Sequence, residues 1–188
     1  MTPARDGAGL ARLVHTQGGS QWVFIKPAAT ASVLRPPGVT AFEIRETESA
    51  GLGAFATRDI QLGERLIAEA PLALWSVPLG GAATASGHAA ELTKVIDRLA
   101  PAQREAFLSL SQTPMHGATK SIAGTWLTNA LPIEDEAADD GREAAAVFAT
   151  ISRLNHACSP NCHREWNSRL SKLTVHAQRA ITLSLIHI

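Results

Sequence analysis

The residues best suited to chemistry lie in one short run, residues 155–163, which reads NHACSPNCH. It contains two histidines, two cysteines and two asparagines. Polar side chains at this density cost free energy beside an apolar core unless each has a partner, so packing alone does not favour the composition. The run therefore indicates a functional site, and its thiol, imidazole and amide groups suit nucleophilic, metal-binding or ligand-binding chemistry.

A second run lies far upstream, at residues 50–60 (AGLGAFATRDI), followed by Gly63-Glu64 and by residues 69–72 (EAPL). A Gly-x-Gly turn lets the backbone approach a ligand closely, because no Cβ stands in the way. Taken in this order, the two runs resemble the signatures of the SET domain, the fold of S-adenosylmethionine-dependent protein lysine methyltransferases. The matching patterns are G-x-G, FAT-x-x-I, G-E and E-x-P-L, then N-H-x-C-x-P-N. The resemblance covers roughly residues 41–181.

The resemblance implies an α+β fold, mainly antiparallel, with a helical insertion at about residues 80–140. It implies transfer of a methyl group from S-adenosyl-L-methionine to a lysine amine of a histone or other protein substrate. The expected cofactor contacts are Gly51, Leu52 and Gly53, with Asn155 at the amino-acid end and His156 acting mainly through its backbone. Residues 126–132 (WLTNALP) resemble a segment of the SMYD-like branch, which often places an asparagine, here Asn129, near the cofactor.

Several of these residues have alternative interpretations. Asn155 could cap a helix C-terminus, and Asn129 could be a turn asparagine. In many SET enzymes the cysteine at the position of Cys158 binds zinc together with later cysteines. Those cysteines are absent here, so zinc would belong to a longer parent protein, or to a local site with His156, Cys162 and His163. A small buried thiol is the simplest role for Cys158. A thiol nucleophile built from these cysteines and histidines is the competing enzyme class.

The sequence contains no tyrosine. SET enzymes use a tyrosine from a G-E-E-x-x-x-x-Y segment, and here the family pattern runs to Ile181 and then gives way to residues 182–188 (TLSLIHI). We therefore expect a C-terminally truncated domain with an unrelated tail, no catalytic tyrosine, one cofactor wall missing, and no activity of its own. The alternative is a non-catalytic SET-like scaffold that mediates protein interactions.

Composition excludes some classes of function. Lys+Arg and Asp+Glu number 17 each, so no net field attracts nucleic acid, and no run reaches the ~18 apolar residues of a membrane span. Two cysteines cannot form a disulfide framework, which favours a reducing compartment. We expect a monomer, in either the nucleus or the cytoplasm.

The elements that must position these residues follow from hydrophobic periodicity. Residues 1–40 read as a poorly ordered lead-in in which residues 22–25 (WVFI) add an edge strand. Strands are predicted from Phe42, at 52–60 and at 65–75, and helices over 92–99 and 101–110. A further helix over 140–154 would deliver the chain to Asn155, and a hairpin would join 162–167 to 172–178.

Overall fold

The computed structural model describes residues 10–16, 19–25, 41–47, 51–78, 89–133 and 142–188 of the chain. The strands within those ranges are β1 Leu10–Thr16, β2 Gly19–Ile25, β3 Phe42–Glu46, β4 Leu52–Ala56, β5 Arg65–Glu69, β6 Ala73–Pro78, β7 Leu131–Ile133, β8 Arg142–Val147, β9 Cys162–Asn167, β10 Lys172–Ala177 and β11 Leu185–Ile186. The helices are α1 Ala89–Asp97, α2 Pro101–Leu108 and α3 Ile122–Asn129. The predicted α+β class is confirmed.

The chain divides into two units, and the first is drawn from Met1–Thr30 and Pro71–Val147. Its sheet has the strand order β2-β1-β6-β8-β7, in which only the β1–β6 pair is parallel. Helix α1 buries an apolar face made of Leu92, Val95 and Ile96, which is the stripe that the sequence predicts. None of the helices in the described ranges is long and apolar enough to cross a bilayer.

The second unit comprises Ala31–Ala70 and Phe148–Ile188 and holds two three-stranded antiparallel sheets. Their orders are β5-β10-β9 and β11-β4-β3. The β9–β10 hairpin has the predicted bounds, with Lys172 opposite Asn167. Both expected signature runs lie in this unit, one leading into β4 and the other leading into β9.

The predicted helix over residues 140–154 is wrong. Arg142–Val147 forms strand β8, which pairs with both β6 and β7. Three successive residues, Ala146, Val147 and Phe148, are fully buried. A short apolar run buried on every side is ambiguous between helix and strand, and here pairing on both edges decides for the strand. A short 3₁₀ turn, Ile151–Arg153, delivers the chain to Asn155 instead.

One further prediction needs correction. The strand expected over residues 65–75 is broken into β5 and β6, which belong to different sheets. The break falls at Pro71, which has no N–H to donate to a sheet ladder. Within the lead-in, the described residues form β1 and β2, which pair along their full lengths. Strand β2 is the edge strand predicted at residues 22–25. The acidic stretch 135–140 and the insertion's loop at 80–87 lie outside the described residues.

Candidate functional site

The Gly-x-Gly turn leads directly into strand β4. Gly51 has φ = 68°, in the left-handed region where a side chain is disfavoured. Its carbonyl oxygen accepts hydrogen bonds from the backbone N–H of Thr47, at 2.6 Å, and from the Thr47 hydroxyl, at 2.9 Å. These bonds tie the entrance of β4 to the end of β3, and so fix the path of residues 51–53.

Gly53 is required by close approach rather than by backbone conformation. A Cβ at this position would lie 2.8 Å from Leu185 Cδ1, 2.8 Å from Thr47 Cγ2 and 2.9 Å from Asn155 Nδ2. Such contacts are shorter than van der Waals packing allows, so a side chain would displace its neighbours. The absence of a side chain at Gly53 therefore lets the Asn155 amide come close to the backbone of β4.

Asn155 follows the 3₁₀ turn and the buried Leu154. Its backbone carbonyl accepts the N–H of Ile188 at 3.1 Å, and the residue makes a parallel bridge with His187. Its side-chain Nδ2 is buried and has no hydrogen-bond partner among the residues that the structure describes. A buried amide without a partner is costly, so Nδ2 beside Gly53 is a candidate donor for an external acceptor. The alternative in which Asn155 caps an α-helix is wrong.

Asn161 is a contributor that the sequence interpretation left without a role. It is buried, its Nδ2 donates to the carbonyl of Leu185 at 2.8 Å, and its Oδ1 accepts the N–H of His187 at 2.8 Å. It therefore holds the segment that pairs with β4 on one side and bridges Asn155 on the other. Both partners of Asn161 are backbone groups, so no pair of side-chain types in the sequence predicts these bonds. The asparagine of the N-H-x-C-x-P-N pattern is the one sequence feature that could have indicated this role.

Comparison with known proteins gives two findings. The family profile of the SET domain matches residues 51–183. The chain belongs to the SET domain family. It is also 29% identical over 149 residues to histone-lysine N-methyltransferase set5 of Schizosaccharomyces pombe, a match that covers 79% of this chain. The chain spans 41% of the length of that curated relative.

All of the predicted site residues of this SET domain lie within the matched range, but they lie in two units. Gly51, Leu52, Gly53, Asn155 and His156 belong to the second unit, where Gly53 and Asn155 are in direct proximity. Leu52 and His156 are the sequence neighbours of Gly53 and Asn155, and both are exposed. Asn129 belongs to the first unit.

Asn129 is the last residue of α3 and is buried. Its Nδ2 donates one hydrogen bond to the carbonyl of Ser111, at 2.7 Å, and one to the carbonyl of Thr125, at 2.8 Å. Both hydrogens of the amide nitrogen are therefore used to join the end of α3 to the loop after α2. A cofactor contact for Asn129 stays a prediction.

The two cysteines in residues 155–163 have different surroundings. Cys158 is exposed in the loop before Pro160, so its predicted role as a small buried thiol is wrong. Cys162, the first residue of β9, is the buried one, and burial raises the pKa of its thiol to about 11. It is therefore protonated at neutral pH, which disfavours Cys162 as a thiol nucleophile, since the thiolate is the nucleophile.

The local zinc site suggested around Cys158 has no support in the described ranges. No group of three or more histidine, cysteine, aspartate or glutamate side chains is arranged there to hold a metal ion. A structural zinc site needs four such ligands. Cys158 is therefore a candidate ligand without co-ligands in this part of the chain.

Proposed function

We propose that this chain is the cofactor-binding part of an S-adenosyl-L-methionine-dependent protein lysine methyltransferase that acts on a histone. Membership of the SET domain family supports the reaction type. The similar Schizosaccharomyces pombe protein is a histone-lysine N-methyltransferase, which supports the substrate class. Because the chain spans less than half of that relative, the activity and substrate of a whole protein are part of the proposal.

The observation that carries the proposal is the unpaired Nδ2 of Asn155 beside Gly53. An N–H donor buried without a partner fits a ligand that brings an acceptor, and S-adenosyl-L-methionine carries a carboxylate at its amino-acid end. The backbone at Gly51 would form an adjoining wall, because no Cβ obstructs it there, while Gly53 makes room for the Asn155 amide. His156 follows Asn155 and would contribute backbone groups, as the family resemblance implies. The residues present therefore fit the cofactor.

When bound, S-adenosyl-L-methionine supplies an electrophilic methyl group for an in-line displacement by a neutral lysine amine. The residues of this chain bind and orient rather than activate. Asn155 would hold the amino-acid end through its amide, and the 51–53 turn would align the rest of the ligand by backbone contact. Such positioning accounts for much of the rate gain when two reactants must meet in line.

The sequence contains no tyrosine, and so these 188 residues lack the hydroxyl that the family resemblance places beside the lysine amine. We infer that the chain binds the cofactor without turning it over. Residues Leu185 to Ile188 support the binding half of this inference. They pair with β4 and bridge Asn155, and they would supply the cofactor wall that the sequence interpretation expects to be missing.

The absence of tyrosine also favours a second candidate, a SET-like scaffold that binds other proteins without any cofactor. The two candidates differ in one measurable property. A cofactor-binding domain requires the buried Asn155 amide to be satisfied by S-adenosyl-L-methionine, whereas a scaffold leaves that amide unused.

Calorimetric titration of S-adenosyl-L-methionine into the purified chain tests the proposal. We expect one binding site, and we expect Asn155→Ala to weaken binding about 10- to 100-fold, which corresponds to one hydrogen bond to a charged group. Absence of binding to a folded chain would support the scaffold instead.

A transfer assay tests the inference about turnover. The chain is incubated with core histones and methyl-labelled cofactor, and we expect no label above a blank without protein. Label on histone lysines would contradict the inference that the 188 residues lack turnover, while leaving the cofactor site in place.

A further inference from the structure

Glu69 belongs to the EAPL motif, which has no part in the proposed chemistry. It is the last residue of β5, and its carboxylate reaches the start of the 3₁₀ turn that precedes Asn155. The N–H of Thr150 lies 2.9 Å from one carboxylate oxygen and 3.1 Å from the other. The N–H of Ile151 lies 2.9 Å from the second oxygen. One side chain thus satisfies N–H groups at the start of a turn that lies far away in the sequence.

The surroundings of Glu69 make these bonds costly to replace. Burial raises the pKa of the Glu69 carboxyl above its ordinary value, while the N–H groups of Ile151, Thr150 and Ala149 oppose that shift by stabilising the anion. Only an ionised carboxylate offers acceptors on both oxygens, since the amide of glutamine would turn a donor toward those N–H groups.

The turn held by Glu69 is closed by further hydrogen bonds up to the residue before Asn155. The N–H of Arg153 donates to the carbonyl of Thr150 at 2.9 Å, and the N–H of Leu154 donates to the carbonyl of Ile151 at 3.0 Å. The turn also packs against β4, the strand that contains Gly53. A displacement of the turn would therefore change the separation between the Asn155 amide and the Gly53 backbone.

We propose that Glu69 is a positioning residue for the cofactor site, which fixes the turn at Ile151–Arg153 and thereby holds the Asn155 amide against Gly53. The expected effect of Glu69 on cofactor affinity rests on the proposed function. Glu69 touches neither Asn155 nor Gly53 through any of these bonds, so it acts through the turn.

The experiment compares the whole chain with Glu69→Gln, which preserves the side-chain shape and removes one acceptor. The matched control is Glu64→Gln. Glu64 directly precedes β5, and its carboxylate pairs with Arg58 at 2.6 Å and accepts the N–H of Gln61 at 3.2 Å. Among the described residues these partners lie outside the turn at Ile151–Arg153. Two readouts are taken at a temperature where each variant is fully folded. They are the dissociation constant for S-adenosyl-L-methionine, and the nuclear magnetic resonance signal of the Asn155 side-chain amide without ligand.

We expect Glu69→Gln to weaken cofactor binding at least 10-fold and to shift the Asn155 amide signal, while Glu64→Gln changes neither. Wild-type affinity together with an unchanged Asn155 signal in Glu69→Gln would overturn the proposal. If Glu69 contributed to stability alone, Glu69→Gln would lower the melting temperature and leave both readouts unchanged. That result would also overturn the proposal.

The two proposals can fail separately. If the wild-type chain binds no cofactor, the proposed function fails, and the ligand-free Asn155 signal still decides whether Glu69 positions it. If Glu69→Gln does not fold, amide hydrogen exchange in the wild-type chain decides. Protection of the Thr150 and Ile151 N–H groups supports the proposal, and free exchange of either overturns it.

Discussion

Two asparagines that the sequence assigns to the same ligand have opposite surroundings in the structure. Asn129, in the first unit, gives both amide hydrogens to backbone carbonyls at 2.7 and 2.8 Å. Asn155, in the second unit, has a buried amide nitrogen with no partner in the described part of the chain. The first amide is used by the fold, and the second remains available for a ligand. We therefore expect hydrogen-bond satisfaction to separate a structural asparagine from a binding one better than its motif does.

The same contrast applies to the two glycines of the turn. Gly51 is required by its positive φ, and a Cβ there would meet no described residue within 4 Å. Gly53 is required by its neighbours, among them the Asn155 amide. One glycine shapes the backbone and the other makes room for the site. Substitutions at the four positions should therefore separate effects on stability from effects on binding.

The largest effect is expected for Gly53→Ala. Its Cβ would lie under 3.0 Å from the ends of three side chains, which must all shift together, so the chain should lose about 2 kcal/mol of unfolding free energy, within the range for overpacking. Cofactor affinity should fall with it, because the Asn155 amide must move. Urea denaturation and calorimetry measure the two quantities, and unchanged values for both would contradict the close approach.

Asn129→Ala is expected to cost about 2 kcal/mol, because two backbone carbonyls lose a buried donor. We expect its cofactor affinity to equal that of the wild-type chain. Urea denaturation tests the first expectation and calorimetry the second. A large loss of affinity in a variant of normal stability would instead return Asn129 to the cofactor site, as its resemblance to the SMYD-like segment predicts.

Gly51→Ala is expected to cost about 1 kcal/mol, the strain of a left-handed backbone in an alanine. Gly51→Asn serves as the control, because asparagine tolerates that conformation and should cost less. Thermal melts of the two variants make the comparison. Equal destabilisation by both would show that space, rather than φ, limits this position.

Asn155→Ala should change the unfolding free energy least, by under about 0.5 kcal/mol. Its amide nitrogen makes no hydrogen bond in the described part of the chain, and removing an unsatisfied buried donor offsets the packing that is lost. Asn129→Ala, measured in parallel by urea denaturation, is the reference. If the two asparagine variants were equally destabilised, the contrast between them would be lost.

The sequence predicts the strands with regular alternation, the α1 stripe and the β9–β10 hairpin, because period and turn residues are local properties. It does not predict β8, since Ala146, Val147 and Phe148 suit either a helix or a strand until pairing partners are known. Motif order predicts Gly53 and Asn155 as site residues. Their proximity, and the roles of Glu69 and Asn161, depend on contacts between residues far apart in the chain, which no local pattern encodes.

The central claim is that the unpaired Asn155 amide binds the cofactor. The most direct measurement is a side-by-side calorimetric titration of S-adenosyl-L-methionine into the wild-type chain, Asn155→Ala and Asn129→Ala. The account predicts binding to the wild type and to Asn129→Ala, and at least 10-fold weaker binding to Asn155→Ala. Equal affinities for the wild type and Asn155→Ala would contradict it.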